Sequence, residues 1–197
     1  MKTALFVDCC IRGEASRSRK LAEAFFAKLS GGYTVKHLEL MREELLPLTQ
    51  ESLDERDALL AAGETGHPRF RYAREIAEAD LVVMAAPFWD LSFPALLKIY
   101  IENVSVEGIT FRSTAQGLQG LCRGTDLILL TTRGGIYADG SDWEQGVPYL
   151  RAIQRFFGFD RFSFVAADGL DVQGFDGEGA LRDACRRAGE LAQSLSN

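Results

Sequence analysis

The amino-acid sequence predicts an α/β fold in which a doubly wound, five-stranded parallel sheet of order 2-1-3-4-5 carries helices on both faces. Apolar runs of strand length, such as residues 3–7, 81–87 and 126–132, alternate along the chain with helix-like stretches. A run that is apolar at nearly every position is typical of a parallel strand buried on both faces. Because no internal repeat or low-complexity linker interrupts the alternation, we expect one domain over residues 1–197.

The individual strands follow from the position and pattern of these runs. In the second strand, apolar and polar side chains alternate, which is typical of a half-buried strand at the outside of a sheet. The five predicted strands are residues 3–7, 33–40, 81–87, 126–132 and 162–167.

Amphipathic stretches predict the helices between these strands. Ser16 is a good N-cap residue, and Gly31 and Gly32 are expected to end the helix that it begins. Pro94 suits the first turn of another helix, because its fixed φ angle matches helical geometry. The predicted helical segments are residues 16–30, 53–62, 69–79 and 94–104, and a closing helix over residues 181–195.

Composition and charge argue against several classes of protein. The chain has 22 Lys and Arg against 28 Asp and Glu, a net charge of −6, whereas nucleic-acid binders usually present a basic face. The longest apolar run, residues 81–89, has about half of the ~20 residues that a membrane-spanning helix needs. Asp8 interrupts the first apolar run, which argues against a signal peptide. The four cysteines have neither disulfide nor zinc spacing, so we expect reduced thiols, no metal site and a cytoplasmic protein.

In doubly wound sheets, ligands bind beyond the carboxyl ends of the strands, near the point where the strand order reverses. This rule singles out the loops after the first, third and fourth strands. The first of them contains Cys10, Ser16, Arg17 and Ser18 and runs into a helix. Backbone N–H groups at a helix start attract phosphate, hydroxyls add hydrogen bonds, and an arginine adds charge. An ordinary capped helix would explain the serines equally well.

A cysteine and an arginine in this loop also suggest the anion loop of low-molecular-weight tyrosine phosphatases. That chemistry places the two residues close enough to contact one phosphate, whereas six residues separate Cys10 from Arg17. The sequence also lacks an Asp-Pro pair that would provide the general acid. The phosphatase-like interpretation is therefore a minor alternative.

The loops after the third and fourth strands differ in chemistry. Phe88 and Trp89 precede a helix whose apolar stripe does not need them, so a planar apolar ligand would explain them, although this loop taken alone favours local packing over the sheet edge. Gly134 and Gly135 let the backbone approach a ligand closely and direct N–H groups at it, although a simple turn would use the same residues.

Taken together, the three loops resemble those of the FMN-dependent NADH-azoreductases, within the wider NAD(P)H:quinone oxidoreductase family of flavodoxin-like fold. The resemblance covers nearly the whole chain. It is carried by residues 86–111, APFWDLSFPALLKIYIENVSVEGITF, by residues 131–137, TTRGGIY, by residues 148–159, PYLRAIQRFFGF, and by residues 167–170, ADGL.

The resemblance implies a homodimer that binds FMN and uses NADH or NADPH to reduce quinones or azo compounds by ping-pong two-electron transfer. The chemistry then takes place on the flavin and not on a catalytic side chain. The implied phosphate site consists of Cys10, Ser16, Arg17 and Ser18. The implied ring site consists of Phe88, Trp89, Asp90, Leu91, Thr132, Arg133, Gly134 and Gly135, and the substrate pocket is bordered by Phe111 and Tyr137.

Two residues depart from the family pattern. Cys10 stands where the family usually has a serine hydroxyl, and Asp90 stands where an asparagine is common. A carboxylate near the flavin would disfavour an anionic reduced ring and lower the reduction potential. Two other functions fit the same features: a flavodoxin-type electron carrier that does not bind a nicotinamide, and a non-catalytic relative.

Overall fold

The structure is a computed structural model that describes residues 2–138 and 140–195. Its strands are β1 Lys2–Asp8, β2 Tyr33–Glu39, β3 Leu81–Pro87, β4 Phe111–Thr114, β5 Gly117–Gly120, β6 Asp126–Thr132 and β7 Arg161–Ala167. Its α-helices are α1 Arg17–Phe26, α2 Gln50–Ala61, α3 Arg71–Glu78, α4 Ala95–Val104, α5 Gly146–Phe157 and α6 Gly177–Ser194.

Five strands form one parallel sheet in the order β2-β1-β3-β6-β7. Numbered without the short β4 and β5, this is the predicted order 2-1-3-4-5. The register pairs Asp8 with Ala85 and Pro87 with Thr132, so β1, β3 and β6 end at nearly the same level. This alignment places the loops that follow them side by side.

Helices cover both faces of the sheet, as predicted. On one face, α1 and α6 bury Phe25 and Ala184 against β1, β3 and β6. On the other face, α3, α4 and α5 bury Ile76, Leu97 and Leu150. The outer strand β2 exposes most of its residues, including the apolar Val35, and buries Leu38.

The element boundaries agree with the sequence predictions within a few residues, with two exceptions. The first helix ends at Phe26, short of the expected glycines, and the chain continues from it in a hydrogen-bonded turn. Pro94 is the N-cap of α4 and not part of its first turn. The described part of the chain has no helix that is long and apolar enough to cross a bilayer.

A β-hairpin of β4 and β5 was not predicted, and neither was α5. The hairpin is short and mostly exposed, so it has no apolar run that would mark it in the sequence. It is held against the end of α5, where the backbone of Gly120 meets that of Gly158. Gly158 has a left-handed φ of 89° and ends the helix, as glycine commonly does.

Gly120→Ala should reduce the free energy of unfolding by about 1–3 kcal/mol, because the added methyl group overpacks the contact. An ideal Cβ at Gly120 would lie 2.2 Å from the backbone nitrogen of Gly158, and backbone cannot rotate away as a side chain can. Gly66→Ala is the matched control, since a Cβ there meets no atom within 4 Å. Urea unfolding measures both variants, and equal midpoints for the two would contradict the prediction.

Candidate functional site

Four loops meet at the carboxyl ends of the parallel strands and enclose a cavity of about 330 Å³. Three of them are the predicted loops after β1, β3 and β6, and the fourth follows β7. The cavity is lined by Arg12, Ala15, Ser16, Arg17, Pro87, Phe88, Trp89, Asp90, Leu91, Thr132, Gly134, Gly135, Tyr137 and Asp171. We call this cavity the strand-end pocket.

One end of the strand-end pocket is formed by the start of α1. Ser16 is the N-cap residue, and its hydroxyl oxygen accepts a hydrogen bond from the backbone N–H of Arg19. The remaining N–H groups of a first helical turn have no partner inside the helix and favour an anion. Arg12 and Arg17 add two guanidinium groups to the same end.

Arg17 forms a two-pronged ion pair across this end of the pocket. Its Nη1 and Nη2 groups donate to the two carboxylate oxygens of Asp171 over 2.9 Å and 3.0 Å. Nη1 also donates to the backbone oxygen of Leu170 over 3.2 Å. The pair connects the start of α1 to the loop after β7.

The loop after β1 is fixed from below by the carboxylate of Asp8. Asp8 accepts hydrogen bonds from the backbone N–H of Cys10 over 2.9 Å and from Arg19 over 2.8 Å, and it lies 2.9 Å from a ring nitrogen of His37. Burial alone would raise the pKa of Asp8, but these hydrogen bonds and the charge of Arg19 outweigh it, and the pKa lies below its ordinary value. Asp8 is thus a carboxylate at neutral pH and keeps the loop in place.

The other end of the strand-end pocket is apolar. Trp89 and Leu91 are each 39% exposed there, so two large apolar side chains face solvent side by side in one pocket. Phe88 packs against Tyr137 with the ring centroids 4.8 Å apart. An aromatic surface with open space beside it fits a flat, apolar ligand.

A tight turn presents Trp89 and Leu91 to the pocket. Trp89 and Ser92 exchange backbone hydrogen bonds, and the two residues between them have positive φ angles, 48° at Asp90 and 67° at Leu91. Asp and Asn tolerate this left-handed conformation, whereas leucine adopts it at a cost of about 1–3 kcal/mol. The conformation therefore explains why a residue of the Asp/Asn type stands at position 90.

Glycines at positions 134 and 135 allow the loops after β6 and β7 to pair. Gly135 accepts a backbone hydrogen bond from Gly169 over 2.8 Å, and Gly134 accepts one from Asp171 over 3.0 Å. An ideal Cβ at Gly134 would lie 2.6 Å from the carboxylate of Asp171. A residue with a Cβ at this position would force the Asp171 side chain to move away from its place beside the loop.

The guanidinium of Arg133 is directed below the pocket and not into it. The side chain is 2% exposed, donates to Asp168 over 3.3 Å, and lies 3.4 Å from the carboxylate of Glu144. It also lies over the rings of Phe88 and Phe164, 5.6 Å and 6.0 Å from their centroids. Within the described residues, its Nε and Nη2 atoms have no hydrogen-bond partner. Arg133 therefore joins three of the four loops from beneath.

The structure brings ten of the fourteen predicted site residues into the lining of one pocket. They are Ser16, Arg17, Phe88, Trp89, Asp90, Leu91, Thr132, Gly134, Gly135 and Tyr137. The other four are placed elsewhere. Cys10 is buried, with its thiol toward the backbone oxygen of Ala85. Ser18 is also buried, and its hydroxyl lies 2.7 Å from that of Thr132. Phe111 lies in the hairpin and packs on Phe156 of α5. Arg133 is the fourth.

Residues 2–192 match the family described as having a flavodoxin-like fold. The FMN-dependent NADH:quinone oxidoreductase 2 of Clostridium acetobutylicum is 37% identical over 201 residues, which cover 99% of this chain and 100% of that protein. The chain belongs to the flavodoxin-like family of FMN-dependent NADH:quinone oxidoreductases.

Further members and neighbours of the family agree with this assignment. The FMN-dependent NADH:quinone oxidoreductase of Caldicellulosiruptor saccharolyticus is 38% identical over 158 residues, 79% of each chain. The crystal structure of an azoreductase from Bacillus anthracis strain Sterne superposes with a TM-score of 0.88 at 28% identity, over 98% of this chain and 100% of that one.

In this member of the oxidoreductase family, the thiol of Cys10 is not suited to nucleophilic attack. Burial and the neighbouring Asp8 carboxylate raise its pKa far above the ordinary value, so the group is a neutral thiol at neutral pH. Burial also raises the pKa of Cys9 to about 12. A phosphatase would need a thiolate here. The described residues also contain no group of three or more His, Cys, Asp and Glu that could hold a metal ion.

Four residues of the strand-end pocket were not predicted: Arg12, Ala15, Pro87 and Asp171. Arg12 and Ala15 lie in the loop after β1, which the sequence had already singled out, and the charge of Arg12 was an available signal; Pro87 is the last residue of β3. Asp171 follows the fifth predicted strand, whereas the strand-end rule points to the loops after the first, third and fourth strands. Its side chain has a role only because the 169–171 segment pairs with the glycines after β6.

Arg133→Met should reduce the free energy of unfolding by about 3 kcal/mol, because it leaves the carboxylate of Glu144 buried without its cation. Arg155→Met is the matched control on an exposed surface of α5 and should change that free energy by less than about 0.5 kcal/mol. Urea unfolding measures both variants.

The double variant Arg133→Met with Glu144→Gln separates charge from packing. Glutamine keeps an oxygen that accepts from the backbone of Gly146 and Val147, as Glu144 does now. The second change should therefore recover part of the lost stability. If the Arg133→Met protein is as stable as the unaltered one, the guanidinium does not hold the loops together.

Proposed function

We propose that this protein is an FMN-dependent oxidoreductase that takes electrons from NADH and reduces quinones, and azo compounds as well. One observation carries the proposal: a single pocket at the strand ends joins an anion-binding end to an aromatic end. The names of the family relatives, FMN-dependent NADH:quinone oxidoreductase and azoreductase, support the choice of cofactor, donor and acceptor.

The residues of the strand-end pocket fit FMN in chemistry and in arrangement. The phosphate would be held by the first turn of α1 with Ser16, Arg17 and Arg12, because N–H groups and guanidinium groups are the donors a phosphate prefers. The ring would lie against Trp89 and Leu91, whose apolar surface is exposed in this structure.

When bound, FMN supplies the two-electron chemistry, as a carrier that accepts a hydride equivalent from NADH and delivers it to the acceptor. The chain's own residues position the cofactor and exclude water, and we propose no side chain as an acid or base. The backbone N–H groups of the 134–135 loop are the donors available to stabilise negative charge at the polar edge of the ring. NADH and the acceptor would occupy the exposed edge beside Trp89 in turn.

We propose in addition that the protein is cytoplasmic and acts as a homodimer. Support comes from apolar side chains exposed close in sequence to the pocket loops, with Ile136 61% and Trp143 66% exposed. A second chain that covers them would also cover the edge of the pocket. Light scattering of the purified protein should give twice the mass of one chain, and the mass of a single chain would contradict the proposal.

The cofactor assignment is tested by absorbance spectroscopy. The purified protein, incubated with FMN and passed through a desalting column, should stay yellow. NADH added in the absence of oxygen should then bleach the flavin absorbance band as fast as the two solutions mix. A quinone added afterwards should restore the band. A colourless protein would overturn the proposed function, and retention of FMN with only slow bleaching by NADH would indicate an electron carrier instead.

A variant of Trp89 and a control variant test the place of the ring. Trp89→Ala should weaken FMN binding about fivefold, the effect of losing roughly 1 kcal/mol of aromatic contact. Leu118→Ala is the control, because this apolar side chain is exposed on β5 and does not line the strand-end pocket. The dissociation constant is measured from flavin fluorescence. Equal constants for the two variants would place the ring elsewhere.

A further inference from the structure

The guanidinium of Arg17 already has an anionic partner inside the chain. Both of its terminal nitrogens donate to Asp171, in the side-by-side arrangement that arginine also uses to bind a phosphate. The hydrogen bond from Nη1 to the backbone of Leu170 occupies a third donor. A phosphate at the start of α1 therefore meets an arginine with three of its five N–H donors already in use.

Asp171 is held in this place by its backbone and not by its side chain. Its N–H donates to Gly134, and the neighbouring Gly169 donates to Gly135, so the loop after β7 is fixed to the loop after β6. The carboxylate itself is 64% exposed. It is free to rotate away from Arg17 without disturbing the backbone.

The ion pair of Arg17 and Asp171 affects the charge that the pocket presents to a ligand. The described residues that line the strand-end pocket include two cations, Arg12 and Arg17, and two carboxylates, Asp90 and Asp171. Nearby Arg19 offers no surplus positive charge, because it pairs with Asp8, Glu14 and Glu39. An anionic ligand thus enters a pocket with no excess of positive side chains, in a chain of net charge −6.

We propose that Asp171 competes with the phosphate of FMN for Arg17 and thereby sets how strongly the pocket prefers FMN to riboflavin. The inference rests on the proposed function, since it concerns the same cofactor. The carboxylate holds Arg17 when the phosphate is absent and repels the phosphate when it enters. Riboflavin has the same ring and side chain without the phosphate, so it does not compete for the guanidinium.

Asp171→Asn removes the charge and keeps the shape of the side chain. It should tighten FMN binding about threefold to fivefold, the size expected for one exposed pair of charges, and leave riboflavin binding unchanged. The gain should shrink in high salt, because screening weakens interactions between exposed charges. Both dissociation constants are measured by flavin fluorescence, which does not depend on enzyme activity.

Two further variants complete the experiment. Asp183→Asn is the matched control: Asp183 is half exposed and, like Asp171, pairs with arginine, here Arg186 and Arg187, but it lies on α6 outside the pocket lining. It should change neither constant. Arg17→Gln should weaken FMN binding and should reduce the gain from Asp171→Asn when the two changes are combined, because the carboxylate then has no guanidinium to compete for.

The sign of the effect decides the inference. If Asp171→Asn leaves the preference for FMN over riboflavin unchanged, or lowers it as Arg17→Gln does, Asp171 is no competitor and the inference is wrong, while the proposed function stands. If the unaltered protein binds neither flavin, the proposed function itself fails.

Discussion

The register of three parallel strands is the constraint on which the site depends. Asp8 pairs with Ala85, and Pro87 pairs with Thr132, so the chain leaves β1, β3 and β6 at one level of the sheet. Backbone hydrogen bonds continue just past the strands, from Cys9 to Ala85 and from Phe88 to Thr132. A shift of one residue in any of these strands would also exchange its two faces, which the buried core on both sides forbids. The hydrophobic core therefore determines where the pocket loops begin.

Buried charges fix the direction that these loops take next. Asp8 holds the loop after β1 through the backbone of Cys10, and Arg133 connects the loops after β3, β6 and β7 from beneath. Both groups lie under the pocket and are shielded from solvent, so their interactions are stronger than those of exposed pairs. At the pocket surface, the charged groups are more exposed and their interactions are weaker, as in the pair of Arg17 and Asp171. We infer that the scaffold is rigid where it supports the ligand and adjustable where it meets the ligand.

The sequence was sufficient to predict what depends on local pattern. Four apolar runs and one alternating segment predicted the five sheet strands, and the doubly wound pattern predicted their order. The strand-end rule pointed to Ser16, Trp89 and Gly134. The direction of a side chain could not be predicted from the sequence, because it depends on contacts between segments that are distant in the chain. Arg133 was expected beside the ligand but is drawn under the pocket by Glu144 and Asp168. Asp171 was not predicted at all, since its partner Arg17 lies far away in the sequence and the two meet only through loop pairing.

A crystal structure of the protein grown with FMN tests the central claim most directly. The account predicts the phosphate within hydrogen-bond distance of the backbone at the first turn of α1, and the ring against Trp89 and Leu91 beside the 134–135 loop. Arg133 should remain under the pocket with Glu144. FMN bound with its phosphate at the aromatic end, or at a place away from the carboxyl ends of β1, β3 and β6, would contradict the account.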